Sequence, residues 1–505
     1  MNSSSESGFA AVSDSVLEGL VRQLYSENST LQAQSARLLE SDEQSRLEIA
    51  QLREQVASLT AIVQELQARL AKDSNNSSKP PSSDGLRKKP APKSQRPSNT
   101  GKRSGGQPGH RGTTLRMQDA PDHTVDLAPG ACTGCGASLS DVPADGFERR
   151  QVFDLPKKMA LESTEYRSLR KACPGCGQVH QGQFPESVTQ PVQYGERIRA
   201  MGVYLTCYQL LPLDRTTQIL ADLYGASFCE GTLQSAQEEC KAVVTPIYGD
   251  IKRAITEADY AFFDETGQRV AGKLHWLHVA CTSTLTYYST QPKRGRGAID
   301  AIGILSDFKG CASHDGWKPY QRYPCDHALC NAHHLREFDF QREQHGQIWA
   351  ARMKVLILDI KAQVDQAKAA GLKALLKQTV DAFEERYDEL IRQGYASNLR
   401  ANVSGVRGRT KQTPGYNLVR RLEKRDQVLA FLYDFNVAFD NNLAERDLRM
   451  MKVRQKVSGC FRTLDGANTF GTIRSYLSTM RKQGHNMLRT LESVFRGDPT
   501  IPGYT

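Results

Sequence analysis

The stretch Ala258-Asp-Tyr-Ala-Phe-Phe-Asp-Glu-Thr266 decides the fold. Apolar residues crowd Tyr260 to Phe263 and stop abruptly at Asp264, Glu265 and Thr266. That pattern predicts a buried strand of about six residues with carboxylates at its mouth. A second acid, Asp315, closes another short alternation in Gly310-Cys-Ala-Ser-His-Asp-Gly316. A third, Glu445, lies in Asp440-Asn-Asn-Leu-Ala-Glu-Arg-Asp-Leu-Arg449, which reads as helical from Leu443 onward. Two strand-end aspartates and a helix-borne glutamate can converge on one pair of divalent metals, the apparatus of phosphodiester chemistry. Acids at strand ends are also ordinary.

Outward from that stretch, Leu274 to Cys281 and Leu285 to Thr290 predict two more strands. Lys293-Arg-Gly-Arg-Gly-Ala-Ile-Asp leads into an amphipathic helix ending near Phe308. A strand at 310–314 delivers Asp315, and Ala328-Leu-Cys-Asn-Ala-His-His-Leu-Arg-Glu337 reads as a strand running into a helix. Three successive strands, then helix, strand, helix is the order of an RNase H-like core, a mixed sheet flanked by helices. Its first part is expected at 256–340 and its second, with the Glu445 helix, at 436–475, followed by a C-terminal helix and tail at 476–505. Residues 341–435 carry helical periodicity throughout and read as an all-helical insertion.

A chain of 505 residues exceeds one hydrophobic core, so a multidomain α+β protein of about two to four domains is expected. The formal charge of +10 favours a polyanionic partner. No apolar run approaches the roughly 18 residues of a membrane span. The opening Met1-Asn-Ser-Ser-Ser-Glu lacks a secretory pattern. Twelve cysteines are too sparse for a disulfide scaffold. These features predict a cytoplasmic protein.

A disordered tail is expected at 1–12 and a leucine-zipper-like coiled coil at 13–72. One heptad seam holds Leu17, Leu24, Leu31, Leu38, Leu52, Leu59 and Leu66; its companion holds Val21, Ile49, Val56, Val63 and Leu70. Leucine at d with valine or isoleucine at a favours a parallel pair, hence a homodimer or higher; a helix lying along its own protein is the alternative. Residues 73–115 form a basic, flexible linker in which Lys88 and Lys89 can hold phosphates without reading sequence, or merely solubilise. At 116–190, Cys132-Thr-Gly-Cys135 and Cys173-Pro-Gly-Cys176 present four thiolates suited to one tetrahedral Zn²⁺ in a ribbon-like module; redox pairs are the rival reading. Strand-like runs at Val152–Asp154 and Leu161–Arg170 fall between them. Residues 191–255 are helical, and Arg215 to Tyr224, Gly225, then Glu230 to Lys241 reads as a helix-turn-helix or a plain packing pair.

Asn75-to-Asp84, Gly105-Gly-Gln-Pro-Gly-His-Arg-Gly112, the paired Cys-x-x-Cys, Asp264-Glu-Thr, His314-Asp-Gly-Trp, Cys330-Asn-Ala-His-His-Leu-Arg-Glu and Asp440-Asn-Asn-Leu-Ala-Glu-Arg resemble, in order, the insertion-sequence sixty-six (TnpC-type) transposases. These are bacterial DDE-class enzymes of the RNase H-like superfamily. The resemblance implies Asp264, Asp315 and Glu445 as catalytic acids on two Mg²⁺ (or Mn²⁺) ions, Asp264 bridging both. It implies water attack that frees a 3′-OH at the element end, then attack of that hydroxyl on target DNA. DNA is the implied partner, with small accessory proteins of the same element and a nucleoid-associated location.

Each acid has a plain alternative. Asp264 can cap a turn with Thr266, Asp315 can shape the Asp-Gly turn, and Glu445 can pair with Arg449 along the helix. Glu265 and Asp440 are rival ligands; strand alternation turns Glu265 to the opposite face, and Asp440 suits a helix cap. Arg446, Arg449, Lys452, Arg454 and Lys456 crowd beside Glu445 as candidate phosphate contacts or a solvated helix face. His333 and His334 lie near the second acid, and Trp276 and Trp317 suit core or wall positions. The rival functions are a non-catalytic, zinc-containing DNA-binding regulator and a nuclease without strand transfer.

Overall fold

The computed structural model describes residues 14–71, 115–156, 159–400 and 412–504. The expected tail at 1–12 and nearly all of the basic linker, with Lys88 and Lys89, lie outside them. The chain forms two compact units, residues 1–88 with 339–347, and the remainder.

In the first unit, α1 (Asp14–Leu70) is one unbroken helix of 57 residues. Both heptad seams, from Leu17 to Leu66 and from Val21 to Leu70, are exposed along it.

In the second unit, residues 116–190 are largely irregular, carrying the short antiparallel strands β1 (Arg170–Ala172) and β2 (Val179–Gln181). The run at Val152–Asp154 forms no strand, and of Leu161–Arg170 only the last residue pairs. Their side chains are largely exposed, so alternation had no sheet face to bury.

Helices α2 (Glu196–Val203), α3 (Leu213–Tyr224) and α4 (Glu230–Thr256) follow, with Gly225 at φ 65° terminating α3. The second helix of the expected pair, Glu230 to Lys241, is the start of the longer α4, which runs on through Pro246 within the stretch the sequence reads as helical. Its buried positions Ala236, Cys240, Val244, Ile247, Ile251 and Ile255 recur every three or four residues, a stripe that seats it in the main core, while Leu233 packs with Leu220 and Phe228.

Five strands form one mixed sheet in the order β5-β4-β3-β6-β7: β3 (Tyr260–Val270), β4 (Lys273–Cys281), β5 (Thr286–Gln291), β6 (Cys311–His314) and β7 (Asp326–Leu329). The first three pair antiparallel; β6 and β7 add in parallel. Strand β3 does not stop at Asp264. It continues to Val270 because Glu265 to Val270 pair with β4 across a tight turn in which Ala271 and Gly272 both have positive φ. Between β5 and β6, α5 spans only Arg296–Ile302, since Gly303 at φ 66° ends it short of Phe308. Edge strand β5 is covered: the Tyr288 and Thr286 N–H groups donate to Ser475 Oγ and Thr479 Oγ1, both at 2.9 Å, on α13 (Leu464–Lys482).

After β7 come α6 (Asn331–His345), then α7 (Ile348–Ala369), α8 (Lys377–Ser397), α9 (Pro414–Leu422), α10 (Arg425–Val428) and α11 (Ala430–Tyr433). Trp349, Met353, Ile357, Tyr387, Leu418 and Leu432 build a second core against β7 and the start of α6. The chain then returns to the sheet as α12 (Asn442–Val457), and α14 (Met487–Phe495) closes on α2 and α4.

Candidate active site

The parallel register brings the first two acids together. Tyr260 faces Cys311 and Phe262 faces Ser313, and Asp264 and Asp315 each follow two residues after that last pair. Here β6 has ended at His314 while β3 continues, which opens a notch beside Asp264. Gly316 at φ 83° turns the chain immediately after Asp315, and its N–H donates to His314 Nδ1 at 2.9 Å. Asp315 Oδ1 accepts the Trp317 N–H at 2.8 Å, and Asp264 Oδ1 accepts the Glu265 N–H at 2.8 Å.

Glu445 occupies the first turn of α12. Two contacts of Asn441, just ahead of that helix, fix it over β3: its Nδ2 donates to Phe263 O at 2.9 Å and its N–H to Cys330 Sγ at 3.1 Å. Further along, Lys452 Nζ donates to Gly267 O at 3.0 Å. The helix therefore lies beside β3, with Glu445 at the notch.

The three acids act on one another through charge, although among the described residues they do not form a group whose ligand atoms all lie within 4.8 Å. The Asp264 carboxyl is pushed well above the ordinary range by burial and then by the charges of Glu265, Asp315 and Glu445. Burial and Glu265 raise Asp315. Burial raises Glu445, against the opposing pull of Arg336 and Arg449. Neither aspartate has an ion-pair partner among the described residues. Glu445 Oε1 is buried and accepts no hydrogen bond, with His333 Nε2 and Arg336 each 3.9 Å away. These partly buried carboxyls, with Arg294 and Arg421 acting on Asp315 and Arg336 and Arg449 on Glu445, offer oxygen ligands of the kind hard divalent cations favour.

The rival acids have other work. Glu265 is buried and paired: Arg294 Nε donates to Oε1 at 2.6 Å, and the Tyr320 hydroxyl donates to Oε2. Arg294 is itself flanked by Trp276 and Trp317, its guanidinium 5.0 and 4.1 Å from their ring centroids. Asp440 Oδ1 accepts the Asn442 N–H at 3.0 Å in the turn that leads into α12, whose N-cap is Asn441. The Glu445–Arg449 pair is not formed, although Arg449 lies near enough to act on Glu445 through charge.

Of the basic candidates, Arg446 and Arg449 are exposed. Lys452 is committed to Gly267 O, and Arg454 is stacked 3.5 Å from the Phe461 centroid with burial lowering it to about 10. Both side chains thus have internal partners. His333 is neutral at ordinary pH, burial holding it down to about 3. Arg294, Tyr320 and Arg336 were not singled out from the sequence. Arg336 had a signal there: it falls three residues after His333, on the same helical face.

The two cysteine turns are built alike. Cys132 N–H donates to Ala137 O at 2.8 Å and Gly136 N–H to Cys132 O at 2.9 Å; Cys173 with Gln178 and Gly177 with Cys173 repeat this at 2.8 Å. Backbone N–H groups of Gly134 and Cys135, and of Gly175 and Cys176, lower the Cys132 and Cys173 thiols. Among the described residues, these sulfurs do not form a group of three lying within 4.8 Å; the one such group of potential ligands is Cys330, His333 and Glu445.

Residues 191–469, more than half of the chain, match the sequence profile of the transposase IS66 family. Residues 21–116 match that of a family of unknown function (DUF6444). A Sinorhizobium fredii protein described as uncharacterized protein y4jD is 23% identical over 416 residues, covering 75% of this chain and 78% of its own.

Proposed function

The chain belongs to the IS66 family of transposases, and on that premise we propose that Asp264, Asp315 and Glu445 are the acids with which it cleaves phosphodiester bonds at element ends and joins the 3′-OH to target DNA. The observation that supports this is the register of β3 and β6, whose last pair lies two residues before both Asp264 and Asp315, together with the charge of Asp315 and Glu445 acting on Asp264. The strand order β5-β4-β3-β6-β7, antiparallel then parallel, supports an RNase H-like core. The three acids would hold hard divalent cations, Mg²⁺ or Mn²⁺, whose chemistry is to stabilise charge on the attacking and leaving oxygens. The chain's own contribution is a partly buried notch, ligand oxygens held by Trp317 and Glu265 N–H groups, and exposed Arg446 and Arg449 for flanking phosphates.

Two further roles complete the reading. Cys132, Cys135, Cys173 and Cys176 hold one structural Zn²⁺, supported by the matched turns that already favour thiolate. Helix α1 pairs with a second copy through its exposed leucine seam.

Purified chain with labelled element-end DNA and Mg²⁺ tests the central assignment. Asp264→Asn, Asp315→Asn and Glu445→Gln should each lower nicking and joining by at least about 10²–10³-fold while DNA binding survives. Cleavage persisting in all three would remove these residues from the chemistry. Nicking without joining would identify a nuclease. Elemental analysis should find one Zn per chain, and a folded metal-free protein would overturn the zinc role.

A further inference from the structure

We propose that Cys330, His333 and Glu445 form a second cation site, which takes a thiophilic divalent ion of the zinc class and withdraws Glu445 from Asp264 and Asp315. One potential ligand atom from each of the three lies within 4.8 Å of the other two. His333 Nε2 stands 3.9 Å from Glu445 Oε1. A tetrahedral ion with bonds of about 2.0–2.3 Å needs ligand atoms roughly 3.3–3.8 Å apart, so only a small contraction is required.

Two features point to a ligand rather than to packing. Glu445 Oε1, the atom that faces His333 Nε2, is a buried polar atom without a hydrogen-bond partner. Such atoms cost stability unless something meets them. The local sequence also places the donors well: Cys330 ends the β7 segment and His333 sits in the first turn of α6, a Cys-x-x-His step. The Asn441 N–H donated to Cys330 Sγ at 3.1 Å orients that sulfur.

The donor set decides the ion. One sulfur, one imidazole and one carboxylate suit zinc with an open fourth position, whereas magnesium seeks oxygen alone. Arg336, 3.9 Å from Glu445 Oε1, supplies the opposing charge in the metal-free state. The site stands on its own geometry; its inhibitory consequence rests on Glu445 serving the hard-metal cluster.

The test uses the full chain as isolated with zinc, freed of unbound metal and titrated with Co²⁺. The expected result is one further Co²⁺ per chain with a thiolate-to-cobalt charge-transfer band. Cys330→Ser should abolish the band and His333→Gln should weaken binding by roughly tenfold or more, whereas Asp264→Asn should retain it. Circular dichroism checks the fold of each variant; if Cys330→Ser misfolds, His333→Gln decides. No additional band, or one unchanged in the folded variants, overturns the site. In parallel, Mn²⁺ binding followed by electron paramagnetic resonance should weaken roughly tenfold when Zn²⁺ is present. Unchanged Mn²⁺ affinity overturns the withdrawal of Glu445. Mn²⁺ binding indifferent to Asp264→Asn would instead count against the proposed function.

Discussion

Burial and the neighbouring Glu265, Asp315 and Glu445 raise the Asp264 carboxyl, whereas Glu265, one residue on, is met by Arg294 and Tyr320. The sign of the consequence follows from linkage. A carboxyl raised in the folded state favours folding while protonated, below its unfolded value. That contribution is lost as pH rises through the raised folded value. At neutral pH the metal-free protein therefore carries a destabilising Asp264. Asp264→Asn should stabilise it by on the order of 1–3 kcal/mol, the usual penalty of an uncompensated buried polar group. The gain should shrink toward about pH 4, where unfolded carboxyls also protonate. Thermal unfolding with chelator at both pH values checks this; equal stability at neutral pH would contradict it. The three acids were legible because each follows or interrupts an apolar pattern. The pairing of Glu265 was not, since its partners stand 29 and 55 residues away. Nor was the inward turn of Lys452 and Arg454, because a run of basic residues on a helix does not reveal which of them meet a carbonyl or an aromatic ring.

At the level of elements, the approach of β6 to β3 depends on a glycine. A Cβ at Gly310 would stand 2.4 Å from Asp259 O and 2.5 Å from Ala258 O, so any side chain must push the strands apart. Gly310→Ala should cost about 1–3 kcal/mol and lower cleavage by displacing Asp315. Denaturant midpoints and nicking rates measure the two effects, and an unaltered variant would show that the spacing is not critical. Alternating apolar residues revealed β4, β5 and β6 within a residue or two. The second half of β3 was hidden because Gly267, Gln268 and Arg269 resemble a loop until β4 pairs with them. For α1 the heptad was plain in sequence. Leu52→Glu with Leu59→Glu should convert a self-associated chain to monomer in sedimentation experiments, and unchanged mass would exclude pairing through this seam.

At the largest scale, the three candidate acids come from β3, the loop after β6 and α12, and a second hydrophobic core lies in sequence between the last two. The insertion is tolerated because α6 and α12 start side by side: the Asn331 N–H donates to Phe439 O at 3.2 Å, and the Asn441 N–H reaches Cys330. Sequence pattern could mark the insertion as helical, but it could not show that its ends are stitched together, since those contacts join residues more than a hundred positions apart. Whether the three acids share cations can be read directly by exchanging Mg²⁺ for Fe²⁺ and letting ascorbate and peroxide cut the backbone beside the bound metal. The expected result is strand scission around 264, 315 and 445 in the same chain, suppressed at all three positions by Asp264→Asn. Cuts at one of these positions alone, or a pattern untouched by that substitution, would contradict a shared site.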